Sequence, residues 1–274
     1  MISRTRIRIA LGITAGALLF WTASAQQQQA KPGDLGFTDT PILPGMKWHV
    51  HDPDRPHPPV VTPGATPYAP PSDAIVLFDG KDLSKWGQMG KGAEAGKMIA
   101  PTWPVKDGYF ECAGNGDLIT KEKFGDVQLH VEWWDPNLPA DKVNQDRGNS
   151  GIFLQDVYEV QVLDNFENKT YVNGMVGSIY KQFPPLVNAA WPAEHWQTYD
   201  IIYTAPRFAA DGSLASPARL TVLLNGVLVQ NNSVLKGGTT YIGAPSYTPH
   251  GDLPLRLQDH SHLVRYRNIW LRKL

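Results

Sequence analysis

Leu223-Leu224-Asn225-Gly226-Val227-Leu228 decides the class of fold for this chain. Two apolar runs meet at Asn-Gly, the pair that tolerates positive φ at both central positions of a type I′ turn. The six residues therefore specify a tight β-hairpin. Short runs rich in β-branched and aromatic residues recur on either side of it: Ile75–Phe78, Tyr109–Ala113, Val127–Trp134, Gly151–Leu154, Tyr158–Leu163, Gln197–Tyr203, Ala218–Leu224, Val227–Asn231, Leu255–Asp259 and Val264–Arg272. Turn pairs punctuate them, at Asp79-Gly80, Asp107-Gly108, Asn115-Gly116 and Asp211-Gly212. No sustained helical periodicity and no internal repeat accompanies these runs. The expected fold is all-β, a two-sheet antiparallel jelly-roll sandwich.

The start of the chain is different. Arg4, Arg6 and Arg8 precede an apolar run from Ile9 to Trp21, and Ala23-Ser24-Ala25 supplies small residues for cleavage before Gln26. Residues 1–25 read as a signal peptide, because the apolar run is too short for a membrane anchor. No later segment is long and apolar enough to span a bilayer. The expectation is an exported protein, periplasmic or extracellular. Residues 26–72 hold eleven of the 23 prolines. Proline removes a ladder donor, so this segment reads as an extended strap, with Trp48, Val50, Val60, Val61 and Tyr68 packing it onto a body that runs from 73 to 274.

Formal net charge is −1, which gives no reason to expect a nucleic-acid partner or an anionic membrane surface. The single cysteine, Cys112, excludes an intramolecular disulfide and reads as a small buried hydrophobe. His49, His51 and His57 match no standard zinc spacing. Asp135, Asn137, Asp141, Asn144 and Asp146 form an oxygen-rich loop that could suit calcium, although a solvated loop between strands explains it better. No cofactor is otherwise implied, and no metal ligand is assigned. The stretch from Phe183 to Trp191 reads as an ordered loop at a site rim. Asn168-Lys169-Thr170 and Asn231-Asn232-Ser233 match the glycosylation sequon and carry no functional weight here.

Several blocks point to a family. Phe78-Asp79-Gly80-Lys81-Asp82-Leu83 with Trp86, Gly148-Asn149-Ser150-Gly151-Ile152-Phe153-Leu154, and Tyr158-Glu159-Val160-Gln161-Val162-Leu163-Asp164 each resemble motifs of the 3-keto-disaccharide hydrolase domain family. So do Trp196-Gln197-Thr198-Tyr199-Asp200-Ile201, Pro217-Ala218-Arg219, Asn225-Gly226-Val227-Leu228-Val229-Gln230-Asn231, Pro254-Leu255-Arg256-Leu257-Gln258-Asp259-His260 and Val264-Arg265-Tyr266-Arg267-Asn268-Ile269-Trp270. The resemblance runs from about Ile75 to Leu274 in family order. One departure is His260-Ser261-His262, where the family pattern runs His-Gly-Asn. The resemblance implies a concanavalin-like jelly roll acting on glycosides already oxidised to a ketone at carbon 3, supplied by a separate oxidising enzyme.

Strand parity adds an independent reading, since alternate residues share a face. His130, Glu132 and Trp134 oppose Leu129, Val131 and Trp133. Glu159 and Gln161 oppose Val160 and Val162, and Arg256, Gln258 and His260 oppose Leu255 and Leu257. These polar faces either meet water or together form one concave site, the latter being the expectation. A carbon-3 ketone acidifies the proton on carbon 2, so the reaction needs a base, an acid and a group for the enolate oxygen. Glu132, Glu159 and His260 are the candidate proton-transfer groups, with Arg256 or a bound cation for the oxyanion. Trp134 is a candidate stacking ring, Gln161 and Gln258 would fix sugar hydroxyls, and Asn149 and Ser150 would line the rim. Two other readings stand beside this one: a conventional glycosidase using Glu132 and Glu159 as its carboxylate pair, and a non-catalytic sugar-binding lectin.

Overall fold

The computed structural model describes residues 33–90 and 92–274. The expected signal peptide and the first residues of the strap lie outside the described residues. Among the described residues, 33–60 belong to one compact unit and Val61–Leu274 to another. In the first, Ile42 bridges His49, the Phe37 amide donates to the His51 carbonyl at 2.8 Å, and Asp52 accepts from the amides of His49 and Asp54. His49 Nδ1 is engaged with the Thr40 carbonyl.

The second unit is built from strands. In chain order they are β1 (Ile75–Phe78), β2 (Trp86–Met89), β3 (Met98–Ile99), β4 (Val105–Lys106), β5 (Tyr109–Glu111), β6 (Leu118–Phe124), β7 (Val127–Trp134), β8 (Ser150–Leu154), β9 (Tyr158–Val162), β10 (Gln197–Thr204), β11 (Arg207–Phe208), β12 (Leu214–Ser216), β13 (Arg219–Leu224), β14 (Val227–Val234), β15 (Leu253–Leu257) and β16 (Arg265–Lys273). The larger sheet runs β14-β13-β10-β7-β16-β5-β4, with β1 beside β16, and the smaller runs β3-β2-β6-β15-β8-β9. All pairings are antiparallel. This is the two-sheet sandwich expected of a jelly roll. The hairpin at its origin is present: Asn225 and Gly226 adopt φ of 53° and 77° between β13 and β14.

Period-two alternation drives the packing. Leu129, Val131 and Trp133 of β7 and Tyr158, Val160 and Val162 of β9 enter one buried cluster between the sheets. Burying each such side chain stabilises the fold by about 1.5–3 kcal/mol before entropy is counted. Three tyrosines of the larger sheet then reach across the core to the other layer. The Tyr199 hydroxyl donates to the Gln161 carbonyl at 2.6 Å, Tyr203 to Gln155 Oε1 at 2.7 Å, and Tyr266 to Ser150 Oγ at 2.7 Å. Each gives a buried phenol its partner and fixes the lateral position of one sheet on the other.

On the outside of the larger sheet, β16 breaks register with β7 between Arg267 and Trp270, and Asn268 turns to φ 45° at this bulge. Its side-chain amide donates to Glu132 Oε1 at 2.8 Å and to the Tyr68 carbonyl at 2.9 Å, which also accepts from Trp270 Nε1. The His130 ring lies between Tyr68 and Trp270, with centroids 5.7 and 5.2 Å away. The strap residues of this unit are thereby held on β7 and β16. Cys112 is buried and donates to Asp259 Oδ1, and burial followed by that carboxylate pushes its thiol up to about 12. It stays a protonated packing residue.

Candidate active site

The outer face of the smaller sheet carries the polar residues of β8, β9 and β15. Register sets them in rows. Glu159 pairs with Phe153, Phe153 with Arg256, and Arg256 with Ile119. Residues paired across an antiparallel ladder share a face, so Glu159, Phe153 and Arg256 form one line across three strands. Gln161 pairs with Gly151 in the adjoining row, and the Gln258 amide donates to the Gly151 carbonyl.

Glu159 sits at the floor of this face. Its backbone amide donates to Thr239 Oγ1 at 3.0 Å and its carbonyl accepts from the Tyr180 amide at 3.2 Å. The residue is 4% exposed, and its carboxylate makes no hydrogen bond among the described residues. Burial pushes the carboxyl up to about 8, against the pull of Arg256 and with a further push from Asp117. The side chain leans across Gly151: a Cβ at that position would stand 2.6 Å from Glu159 Oε1. A larger residue there would have to push aside the carboxylate and the Phe153 ring.

Arg256 faces it from β15. Its guanidinium lies 3.6 Å above the Phe153 ring, donates to Asp117 Oδ2 at 2.7 Å and to the Asp156 carboxylate, and is thereby fixed. Tyr180, on the other side of Glu159, shares a 2.8 Å hydrogen bond with the Tyr171 hydroxyl. Burial, followed by that bond, raises its phenol above the ordinary range, so the hydroxyl stays protonated and able to donate.

Gln161 Nε2 donates to Asn149 Oδ1 at 3.0 Å, which ties Asn149 to this face. His260 is exposed at the end of the β15 segment with its ring stacked on His262, 5.4 Å away. Desolvation against that neighbour, then its charge, lowers the His260 imidazole below the ordinary value. His262 accepts from the Asn149 amide at Nδ1, so its Nε2 carries the proton donated to Asp146 Oδ1 at 3.0 Å. Ser261 between them has φ 60°, the left-handed geometry that explains glycine in the family pattern.

Three expected members lie elsewhere. Glu132 and Trp134 stand on the outer face of the larger sheet, with the whole core between them and Glu159. Glu132 accepts from Arg267 Nε at 2.6 Å and from Asn268. Burial alone would raise its carboxyl, but the nearby His130 ring and hydrogen bonds from Asn268 and Arg267 hold it at about 2. It is a fixed anion with no proton to give. Trp134 stacks under the Arg265 guanidinium at 4.0 Å. Ser150 is turned into the core, where its hydroxyl donates to the Gln258 carbonyl at 2.6 Å. The polar face that register brings together is therefore smaller than the site expected from parity: Glu159, Gln161, Arg256, Gln258, Asn149 and His260. Glu132 and Glu159 cannot be the carboxylate pair of a conventional glycosidase, since the pair must flank one bond.

Sequence reasoning passed over Tyr180, Asp117, Asp156 and His262. Gly177-Ser178-Ile179-Tyr180 carries no period to read, and its place beside β9 shows only in the bridge from Ile179 to Val160. The oxygen-rich loop does not converge: Asp146 serves Lys142 and His262, the Asn144 backbone serves Asn168, and Asp135 is buried against Gly148. No three His, Cys, Asp or Glu side chains come together as a metal site among the described residues.

A jelly roll with a desolvated carboxyl, a fixed guanidinium and side-chain amides on one outer face fits a protein of the glycosyl hydrolase-like kind. The chain belongs to the 3-keto-α-glucoside-1,2-lyase-like domain family, whose pattern matches residues 73–272. It is similar to a candidate glycosyl hydrolase from Parabacteroides distasonis, at 49% identity and TM-score 0.73, over 80% of this chain and 93% of that one. A second candidate glycosyl hydrolase from the same organism shares 20% identity at TM-score 0.52, over 74% of this chain and 94% of that one, and bears on the fold alone. No curated protein matches.

Proposed function

We propose that this protein cleaves glycosides whose sugar carries a ketone at carbon 3, by proton abstraction at carbon 2 and elimination at carbon 1. The Glu159 carboxylate takes the carbon-2 proton, and the electron pair passes to the carbon-3 oxygen as an enolate. The enolate then expels the aglycone oxygen from carbon 1, which leaves with a proton. Water adds across the resulting double bond to give the free 3-keto sugar. Arg256 and the Tyr180 hydroxyl are the groups available to the enolate oxygen. His260, held neutral near its exposed position, is the second proton-transfer group. Gln161 and Gln258 would orient sugar hydroxyls.

The observation that carries this reading is Glu159 itself. A buried carboxyl with no ion-pair bond and a value near 8 is a far stronger base than a surface carboxylate, and a carbon acid needs such a base. The substrate must come from a reaction that oxidises the carbon-3 hydroxyl of a glycoside. We also read residues 1–25 as an export signal, so that the enzyme works outside the cytoplasm; N-terminal sequencing of protein from the periplasm or medium should begin at Gln26. The activity is tested on one glucoside and its 3-keto form, side by side. Aglycone release from the ketone alone, lost in Glu159→Gln, is the expected result. Cleavage of the plain glucoside, or full turnover by Glu159→Gln, would refute the mechanism. Binding without cleavage would make the protein a lectin.

A further inference from the structure

Around Glu159 stands a rim that the proposed chemistry uses only at the Tyr180 hydroxyl. Tyr171, Tyr180 and Tyr241 converge there: the first two share their hydroxyl hydrogen bond, and both Tyr241 and Glu159 act electrostatically on the Tyr180 phenol. Tyr241 and Ile242 form the tip of the loop between β14 and β15 and are 73% and 82% exposed. Adjacent large apolar residues this bare, beside a catalytic carboxyl, call for a ligand.

The loop is not free to fold them away. Gln182 clips it to the Tyr180 segment, donating to the Gly237 carbonyl at 2.9 Å and accepting from the Lys236 amide at 2.8 Å. Thr239 is tied to the Glu159 amide and to the Val157 carbonyl. The rim and the base are thus parts of one rigid frame. Lys181 extends along the Tyr241 ring, its Nζ 5.3 Å from the centroid, and its backbone amide is anchored on the Asn173 carbonyl at 2.8 Å.

We propose that Tyr241, Ile242, Tyr171 and Lys181 form the aglycone subsite and that it accepts a planar aromatic aglycone. The assignment rests on the 3-keto-glycoside reading above. The rim offers ring faces and a branched aliphatic side chain, and its polar atoms are few: the Tyr241 hydroxyl, the Lys181 ammonium and the Tyr171 hydroxyl that is paired with Tyr180. That suits an aromatic ring better than a second sugar, which needs many polar partners. Lys181 supplies the positive charge suited to a phenolate oxygen as it leaves carbon 1.

The test compares wild type, Tyr241→Ala and Tyr241→Phe on the phenyl and methyl 3-keto-glucosides of one anomeric form and on a 3-keto disaccharide. Taking each variant relative to wild type on the same substrate cancels the difference in leaving-group reactivity. Tyr241→Ala should lose about tenfold in kcat/KM on the phenyl compound, mostly through KM, and less than about twofold on the other two. Tyr241→Phe should restore the phenyl activity. Equal effects on all three substrates, or none, would overturn the subsite while leaving the reaction intact. An equal loss on the phenyl compound and the disaccharide would make the rim a sugar platform and overturn the aromatic assignment. A wild type inert on every ketone would overturn the reaction and the subsite together.

Discussion

Replacing Glu159 with glutamine should make the protein more stable at neutral pH and above as it makes it inactive. The folded carboxyl titrates near 8 against an ordinary value of 4.5. A carboxyl raised in the folded state binds its proton more tightly there than in the unfolded chain. Between those two values the unfolded state therefore holds fewer protons, and stability falls as pH rises. At about 1.36 kcal/mol per pH unit, the penalty is about 0.7 kcal/mol at pH 5, about 3.4 at pH 7 and about 4.8 above pH 8. Glutamine abolishes this dependence but buries an unpartnered amide, at a constant cost of about 1–3 kcal/mol. The quantity to measure is the change in the difference between variant and wild type, from which the constant cost drops out. Urea denaturation at pH 5 and pH 7 should show the variant gaining about 2.5–3 kcal/mol on wild type between the two. Parallel stability curves would refute the claim that Glu159 is desolvated and unpaired, and with it the argument for its basicity.

Other perturbations separate the two faces and test local geometry. Glu132→Gln should keep turnover of a verified 3-keto-glycoside within about twofold while lowering stability by about 2–3 kcal/mol in the same denaturation assay, because Arg267 loses a buried partner; a large loss of kcat would return Glu132 to the chemistry. Gly151→Ala should cut kcat by at least about a hundredfold with a native circular dichroism spectrum, since its Cβ displaces the carboxylate. Unchanged kcat would show that the Glu159 pose is not the working one. Ser261→Gly should stabilise the protein by about 0.5–1 kcal/mol, seen as a rise of a few degrees in Tm, by relieving the left-handed backbone; a lowered Tm would refute that account.

The ten strands legible in the sequence are those rich in β-branched and aromatic residues and bounded by turn pairs. β6 was not legible because Lys121, Glu122 and Lys123 follow one another and are exposed, although Leu118, Ile119 and Thr120 before them are buried beside β2 and β15. β3, β4, β11 and β12 are two or three residues long and leave no period to read. Parity correctly set Glu159 and Gln161 apart from Val160 and Val162, and Arg256 from Leu255. It misled for Glu132, because alternation distinguishes the inside of a sheet from its outside and says nothing about which sheet a strand joins. That assignment depends on pairing β7 with β10 and β16, far along the chain. Parity would also have turned Ser150 inward with Ile152 and Leu154, had the strand been started one residue earlier. Tyr180 lies in a long stretch without regular period, where only its bridge to β9 reveals the face it serves.

The row from Glu159 through Phe153 to Arg256 is written into strand register, whereas Tyr241 and Ile242 sit on a loop clipped down by one glutamine. These two parts are free to change at different rates. Exchanging the residues between Gly237 and Ser246 while keeping Gln182 and Thr239 would alter what the protein meets beyond the sugar and leave the base where it is. A slip of one residue in β9, by contrast, would turn Glu159 inward and Val160 outward, ending both activity and packing at once. Descendants of this sequence that acquire new substrates should therefore differ first at that loop, and a laboratory seeking the same outcome has seven positions to randomise rather than a whole sheet.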